Sequence, residues 1–295
     1  MILVSLTEFK KDLSMLSSLV PSEVEYMDKR IFPDGEILLK ARNPEKFKGS
    51  DVVLYFKLYP NQNKRLIELF QALDIISDYF PRSLVLIIPY LIYARQDKRF
   101  REGECISLKT LLKALSLFKI DKLISLDVHN PKAVEKYSNF DFVNLTALID
   151  IAKYVKDRLF VGEDMILVSP DIGGIDRVRM VSKELNLDYV CLEKRRNRET
   201  GEISFKKARL DLRDLNVLVL DDIIATGGTI VGAGRILAES GAKRVVAGAT
   251  HLLLLGSAGE KILNSGYSSI VGSNTIDTPY SMVRIEPMLA RTLKK

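Results

Sequence analysis

Residues 217–229 read VLVLDDIIATGGT, and their types and spacing could do phosphate chemistry. Four apolar residues, 217–220, predict a buried strand, and Asp221 and Asp222 follow at its carboxyl end. Ala225, Thr226, Gly227, Gly228 and Thr229 then form a short loop opening a helix with Ile230, Ala233 and Leu237 on one face. Glycines let backbone N–H groups approach an anion with no Cβ in the way. Threonine hydroxyls add donors, and a helix N-terminus adds partial positive charge. Such a loop suits a monophosphate. The two carboxylates cannot favour that phosphate; they suit sugar hydroxyls, or a magnesium ion shared with a ligand. A bare TGGT is also an ordinary strand-to-helix turn, but two acids after a buried strand favour the ligand site. No Lys follows the second glycine, so the loop is not a Walker A motif.

Other polar clusters carry two readings each. Arg95, Gln96, Asp97, Lys98 and Arg99 follow a predicted buried strand. Arg95 can fork onto phosphate or stack on a base and Gln96 can read a purine edge, but the run also reads as a solvated loop. Phe32, Asp34, Gly35 and Glu36 lie in FPDGE, the tip of a predicted hairpin over residues 25–39, which alone is a plain Pro-Asp-Gly turn. His129 stands two residues after Asp127 behind a predicted strand and reads equally as a satisfied core histidine. Asp171 follows ILVSP and precedes Gly173 and Gly174, so it suits an N-cap, a ligand-side carboxylate, or both. Residues 194–198, KRRNR, form a cationic loop between two predicted strands, either a solvated turn or mobile charge for a transferring phosphoryl group. His251 reads as structural, or as a ligand-side residue of unassigned role.

These residues need a scaffold. Apolar runs at 52–56, 84–89, 122–126, 165–169, 217–220 and 244–250 predict buried strands. Between them run amphipathic helices, one over 64–79 with Leu66, Leu69, Phe70, Leu73 and Ile76 on one face, another carrying Leu108, Leu111, Leu112 and Leu115. Such alternation predicts an α/β chain with parallel sheets covered on both faces. The pattern runs twice, predicting two similar domains over 1–146 and 147–295, with the last helix available to pack back on the first.

With 295 residues, 47% hydrophobic and 28% charged, the chain has the composition of an ordinary globular protein. A net charge of +6 fits phosphate ligands or an unremarkable surface, and no Lys/Arg block suggests a nucleic-acid arm. Cys105 and Cys191 form no C-x-x-C pair, which argues against structural zinc and a disulfide framework. The first residues carry charge too early for a signal peptide or anchor, and no uncharged stretch is long enough to span a bilayer; the expected compartment is the cytoplasm, with no membrane partner.

The acid pair and TGGT resemble the phosphoribosyl-diphosphate loop shared by type I phosphoribosyltransferases and phosphoribosyl diphosphate synthetases. FPDGE, NQNKRLIELFQALD, IPYLIYARQDKRF, LDVH, VSPDIGG, EKRRNR and THLLL stand between residues 32 and 255 in the order of the synthetases. The resemblance thus covers essentially the whole chain. It implies two doubly wound parallel-sheet domains of type I phosphoribosyltransferase-like architecture. It implies transfer of the β,γ-diphosphate of ATP to the C1 hydroxyl of ribose 5-phosphate. It implies ATP contacts at Phe32, Asp34, Gly35, Glu36, Arg95 and Gln96, and Mg²⁺ held by His129 and Asp171 with Asp127 beside them. Lys194 and Arg196 are then catalytic, and ribose 5-phosphate is held by Arg196, Asp221, Asp222 and residues 225–229. A homo-oligomer, at least a dimer, follows because in this family the hairpin reaches a partner subunit's adenine. The alternatives are a type I phosphoribosyltransferase that consumes phosphoribosyl diphosphate, or a non-catalytic regulatory relative. One position departs from the family: many synthetases carry an acid immediately before TGGT, where this chain has Ala225, so only a backbone contact remains there.

Overall fold

The computed structural model describes residues 1–192 and 211–294, and of the stretch between them only the backbone strands at 194–196 and 203–205. The chain divides into two compact units, Met1–Leu145 with Ile285–Lys295, and Thr146–Arg284.

The first unit is built as β1 (Ile2–Leu6), α1 (Lys10–Leu19), β2 (Glu23–Ile31), β3 (Ile37–Ala41), β4 (Asp51–Tyr55), α2 (Gln62–Asp78), β5 (Ser83–Ile87), α3 (Ser107–Leu115), β6 (Lys122–Leu126), α4 (Pro131–Tyr137) and β7 (Asp141–Leu145). Its sheet runs β3-β2-β1-β4-β5-β6-β7, parallel except for the β2–β3 hairpin. All five residues of β1 are buried, as expected of an interior parallel strand covered on both faces. Helix α3 buries Leu108, Leu111, Leu112 and Leu115, the stripe its periodicity predicts. Helix α2 departs from its pattern. Leu66 and Phe70 are only half-buried, whereas Glu68 is buried and paired with Arg65 and Lys29. Phe70 instead stacks on Phe118 at a centroid distance of 5.9 Å.

The second unit comprises α5 (Leu148–Tyr154), β8 (Met165–Ser169), α6 (Ile175–Leu185), β9 (Tyr189–Cys191), β10 (Lys194–Arg196), β11 (Ile203–Phe205), β12 (Asn216–Ile224), α7 (Gly228–Glu239), β13 (Arg244–Leu252), α8 (Ala258–Leu263), β14 (Ser269–Ser273) and β15 (Ser281–Val283). Its parallel sheet runs β15-β14-β13-β12-β8-β9, with β10 and β11 as a separate antiparallel pair. Val217 and Val219 of β12 and Val245 and Ala247 of β13 share one apolar cluster with Ile230, Ala233 and Leu237 of α7. Tyr267 closes it, its ring against Gly234 and its hydroxyl donating to the Ile230 carbonyl at 2.8 Å. A side chain at Gly234 would collide with that ring. The last helix, α9 (Glu286–Leu293), belongs to the first unit and packs on α1.

Each sheet has a point where strand order reverses. In open α/β sheets the crevice beyond the carboxyl ends of the strands at that point receives ligands. In the first unit it lies between β1 and β4, and the nearby Lys57 Nζ and Asp12 Oδ2 form a buried ion pair at 2.7 Å. In the second unit it lies between β8 and β12, the strands that lead into Asp171 and the 225–229 loop.

Candidate active site

The second unit gathers its polar residues at this reversal. Ser169 ends β8 and donates its hydroxyl to the Asp171 carbonyl at 2.7 Å. The Asp171 carboxylate accepts the Gly174 amide at 3.2 Å, so the N-cap expected from sequence is present. Gly174 then lets α6 start against the sheet. A Cβ there would lie 2.9 Å from Ser169 Oγ, 3.9 Å from Asp221 Oδ1 and 4.0 Å from Asp171 Oδ1. The first turn of α6 thereby delivers Arg177, whose Nη2 lies 3.1 Å from Asp222 Oδ1 and 3.6 Å from Asp221 Oδ1.

The strand is longer than its apolar run predicts. β12 continues to Ile224, so Asp221 and Asp222 lie within it, not after it. The ladder to β13, with Asp221 opposite Ala249 and Ile223 opposite His251, carries the pairing past the acids. Asp221 is half-buried and Asp222 buried. Burial and the charge of Asp222 push the Asp221 carboxyl well above the usual carboxylate range, against the pull of Arg177. A sugar hydroxyl or cation reaching this pair would meet acceptors held in a confined, poorly solvated place.

The loop beyond β12 is anchored from below. The amides of Leu253 and Leu254 donate to the Ile224 carbonyl at 2.9 and 3.1 Å, and that of Leu255 donates to the Ala225 carbonyl at 2.9 Å. Leu253 and Leu254 at the end of THLLL, with Leu255 after it, therefore hold the loop backbone at Ile224 and Ala225. Gly227 caps α7 at φ +78°, and a Cβ there would press on Ile262 Cδ1 at 3.3 Å. Thr226 and Gly228 are exposed and Thr229 is half-buried. The opening amides of α7 have no acceptor within their own helix, as in an anion-binding turn. His251 is buried, its Nδ1 3.0 Å from Thr275 Oγ1, within a polar network that includes Ser273 and the Thr250 carbonyl.

In the first unit the FPDGE residues form the exposed hairpin tip. The Phe32 amide donates to the Glu36 carbonyl at 2.8 Å and the Glu36 amide to Asp34 Oδ1 at 3.0 Å. Gly35 takes φ +93°, which an L side chain rarely adopts. Arg30 lies 4.9 Å over the Phe32 ring. Gln71 of α2 grips β3, accepting the Leu39 amide and donating to the Ile37 carbonyl, each at 2.9 Å.

Arg95 is exposed and Gln96 half-buried in the loop after β5, where the Gln96 carbonyl accepts the Leu108 amide at 3.3 Å. Asp97 accepts a short hydrogen bond from Asn130, which ties this loop to the one bearing His129. Asp127 is buried at φ +38° with its amide on the Leu145 carbonyl at 2.8 Å, and His129 is exposed.

Asp127 and His129 belong to the first unit and Asp171 to the second. Among the described residues no three His, Cys, Asp or Glu side chains gather as a metal cluster. Magnesium takes oxygen ligands, keeps several waters and draws much of its coordination from substrate phosphates, so the carboxylates suit it better than the imidazole. The backbone of Lys194 and Arg196 forms the strand β10, paired with β11, in place of the loop expected from sequence. Their side chains, and residues 193, 197–202 and 206–210, lie outside the described residues.

Sequence reasoning missed Arg177. Its signal was an arginine six residues beyond Asp171, behind two glycines that seat a helix against the strand ends.

Residues 1–118 match the family model for the N-terminal domain of ribose phosphate pyrophosphokinase, and 144–277 match the phosphoribosyl transferase domain. The ribose-phosphate pyrophosphokinase of Saccharolobus solfataricus is 38% identical over 89% of this chain and 88% of its own. That of Methanopyrus kandleri is 32% identical over 100% and 99%. Among solved structures, phosphoribosylpyrophosphate synthetase from Mycobacterium smegmatis superposes with a TM-score of 0.87 at 25% identity, covering 99% of this chain and 97% of that one. Likeness over both units, together with the acid pair and glycine–threonine turn at the strand reversal, leads to one conclusion: this chain belongs to the ribose-phosphate pyrophosphokinase family.

Proposed function

We propose that the protein transfers the β,γ-diphosphate of ATP to the C1 hydroxyl of ribose 5-phosphate, giving 5-phosphoribosyl 1-diphosphate and AMP for nucleotide biosynthesis. The observation that carries this is the convergence of Asp171, Arg177, Asp221, Asp222 and the 225–229 turn at one strand reversal. A phosphoribosyltransferase would account for residues 144–277 and leave 1–118 without a role, which favours the synthetase.

In this reading, residues 225–229 hold the 5-phosphate through backbone N–H groups and threonine hydroxyls. Asp221 and Asp222 accept the ribose hydroxyls. The Phe32–Glu36 tip and Arg95 with Gln96 hold the nucleotide. The C1 oxygen attacks the β-phosphorus in line. The bond from the β-phosphorus to the oxygen bridging it to the α-phosphorus breaks, AMP leaves with that oxygen, and the hydroxyl proton passes to solvent. Charge in such transfers spreads over the equatorial phosphoryl oxygens, so Lys194 and Arg196 act by supplying positive charge there. His129, Asp171 and Asp127 would hold Mg²⁺, which supplies further neutralising charge to the phosphates.

Other parts of the reading have their own support. The exposed hairpin, with Ile31 and Leu38 at 54% and 48% exposure and Ile67 of α2 at 51%, supports a homo-oligomer of at least two chains. No described helix is long and apolar enough to cross a membrane. Free thiols at Cys105 and Cys191 support the cytoplasm as the compartment.

AMP release coupled to a spectroscopic readout, with ATP and ribose 5-phosphate, tests the proposal. Wild type should turn over, and Lys194→Ala should slow it by roughly 10²- to 10³-fold, as for loss of other electrostatic stabilisers. Equal rates would remove Lys194 from the chemistry, and an inactive wild type would overturn the proposal.

A further inference from the structure

We infer that Arg177 is a positioning residue for sugar recognition: its guanidinium holds the Asp221 and Asp222 carboxylates in the orientation that accepts the ribose hydroxyls. The inference rests on the diphosphate-transfer reading above.

Adjacent residues of a strand project to opposite faces. Asp221 and Asp222 are adjacent within β12, yet Nη2 of Arg177 reaches an oxygen of each, at 3.6 and 3.1 Å. Asp221 Oδ1 also accepts the Asp222 amide at 2.8 Å, turning the carboxylate back along its own strand. Two like charges at this spacing repel, and a shared cation lets both stay in place. Arginine suits the task because it stays charged when part-buried and its Nη2 lies within reach of both carboxylates.

The helix that brings Arg177 there is seated by Gly174. A Cβ at that glycine would lie 2.9 Å from Ser169 Oγ, so something in the seat of the helix would have to shift. Arg177 also bears a cost that an arginine kept for stability alone would avoid, since its Nε is buried and has no hydrogen-bond partner among the described residues. An unsatisfied buried donor beside two ligand-side carboxylates marks a side chain held for what it orients.

Initial rates and calorimetric titration with ribose 5-phosphate should be measured on wild type, Arg177→Gln, Arg177→Lys, Asp221→Asn and the Arg177→Gln/Asp221→Asn double variant. Arg177→Gln should raise the ribose 5-phosphate KM and Kd by about 10- to 100-fold, the loss expected for a charge-assisted hydrogen bond. The ATP KM should stay within about 2-fold, as expected for a site that does not share its contacts. Arg177→Lys, which keeps the charge on a differently shaped head, should show a smaller rise of the same selectivity. The double variant should lose little beyond Asp221→Asn alone. An unchanged ribose 5-phosphate KM in Arg177→Gln, equal rises for both substrates, or additive losses in the double variant would each overturn the inference. Should Arg177→Gln fail to fold, Arg177→Lys decides: a selective rise supports it, and wild-type constants overturn it. A wild type that binds ribose 5-phosphate but releases no AMP would sink the diphosphate-transfer reading instead, and the binding arm would still judge Arg177.

Discussion

The Asp221 carboxylate turns back to accept the backbone N–H of Asp222 at 2.8 Å. Successive acids on a buried strand would ordinarily part to opposite faces. Here the first is drawn back toward the second, and both face Arg177. The pair is therefore a built acceptor, not a charged end of a strand. Asp221→Asn keeps the shape and turns one acceptor oxygen into a donor. It should raise the ribose 5-phosphate KM by about 10-fold or more, the scale of one charged hydrogen bond, with the ATP KM unchanged. Steady-state kinetics with each substrate varied in turn checks this.

Gly227 joins conformation to packing. Its φ of +78° disfavours any L side chain, and Ile262 at 3.3 Å leaves little room for a methyl group. Gly227→Ala should cost about 1–3 kcal/mol of stability. It should also weaken ribose 5-phosphate binding, because the amides proposed to cradle the phosphate would shift. Chemical denaturation and calorimetric titration measure the two effects separately.

The buried Lys57–Asp12 pair sits by the strand reversal of the first unit, as Asp221 and Asp222 sit by that of the second. Removing one partner takes from the other buried charge an opposite charge at 2.7 Å. Asp12→Ala should destabilise the protein by about 3–5 kcal/mol, and Asp12→Ala with Lys57→Met should recover part of that loss. Urea unfolding of the three proteins provides the test, and equal midpoints for wild type and Asp12→Ala would contradict it.

Much of the scaffold was legible in the sequence, because strands buried on both faces read as plain apolar runs. The runs at 122–126 and 165–169 coincide with β6 and β8. The end of β12 was not legible, because acids signal a loop by composition while the ladder to β13 carries the strand past them to Ile224. Glu68 was missed on α2 for a related reason. An acid on the apolar stripe is tolerated because Arg65, one turn before it on the same helix, and Lys29 of β2 both pair with it. The glycine–threonine turn was legible from residue types alone. Arg177 was not, since its meaning depends on Gly174 seating a helix against a strand far along the chain.

The cluster around Glu68 also makes stability depend on pH. Hydrogen bonding to Arg65, helped by Lys29 and opposed by burial, holds the Glu8 carboxyl at about 2, below its ordinary 4.5. A depressed carboxylate contributes stability that is complete above its unfolded pKa and fades as pH falls toward the folded one. Wild type should therefore exceed Glu8→Gln in stability at neutral pH, and the gap should close as pH falls from 4.5 toward about 2. Urea midpoints of both proteins across that range check the sign. A gap that widens toward acid would be contrary to it.

³¹P NMR of the products formed from ATP and ribose 5-phosphate separates diphosphate transfer from its alternatives. Diphosphate transfer gives AMP and a diphosphate on C1 of the sugar, in equal amounts, with no ADP. ADP with a singly phosphorylated C1, or diphosphate release that needs a nucleobase and no ATP, would contradict it.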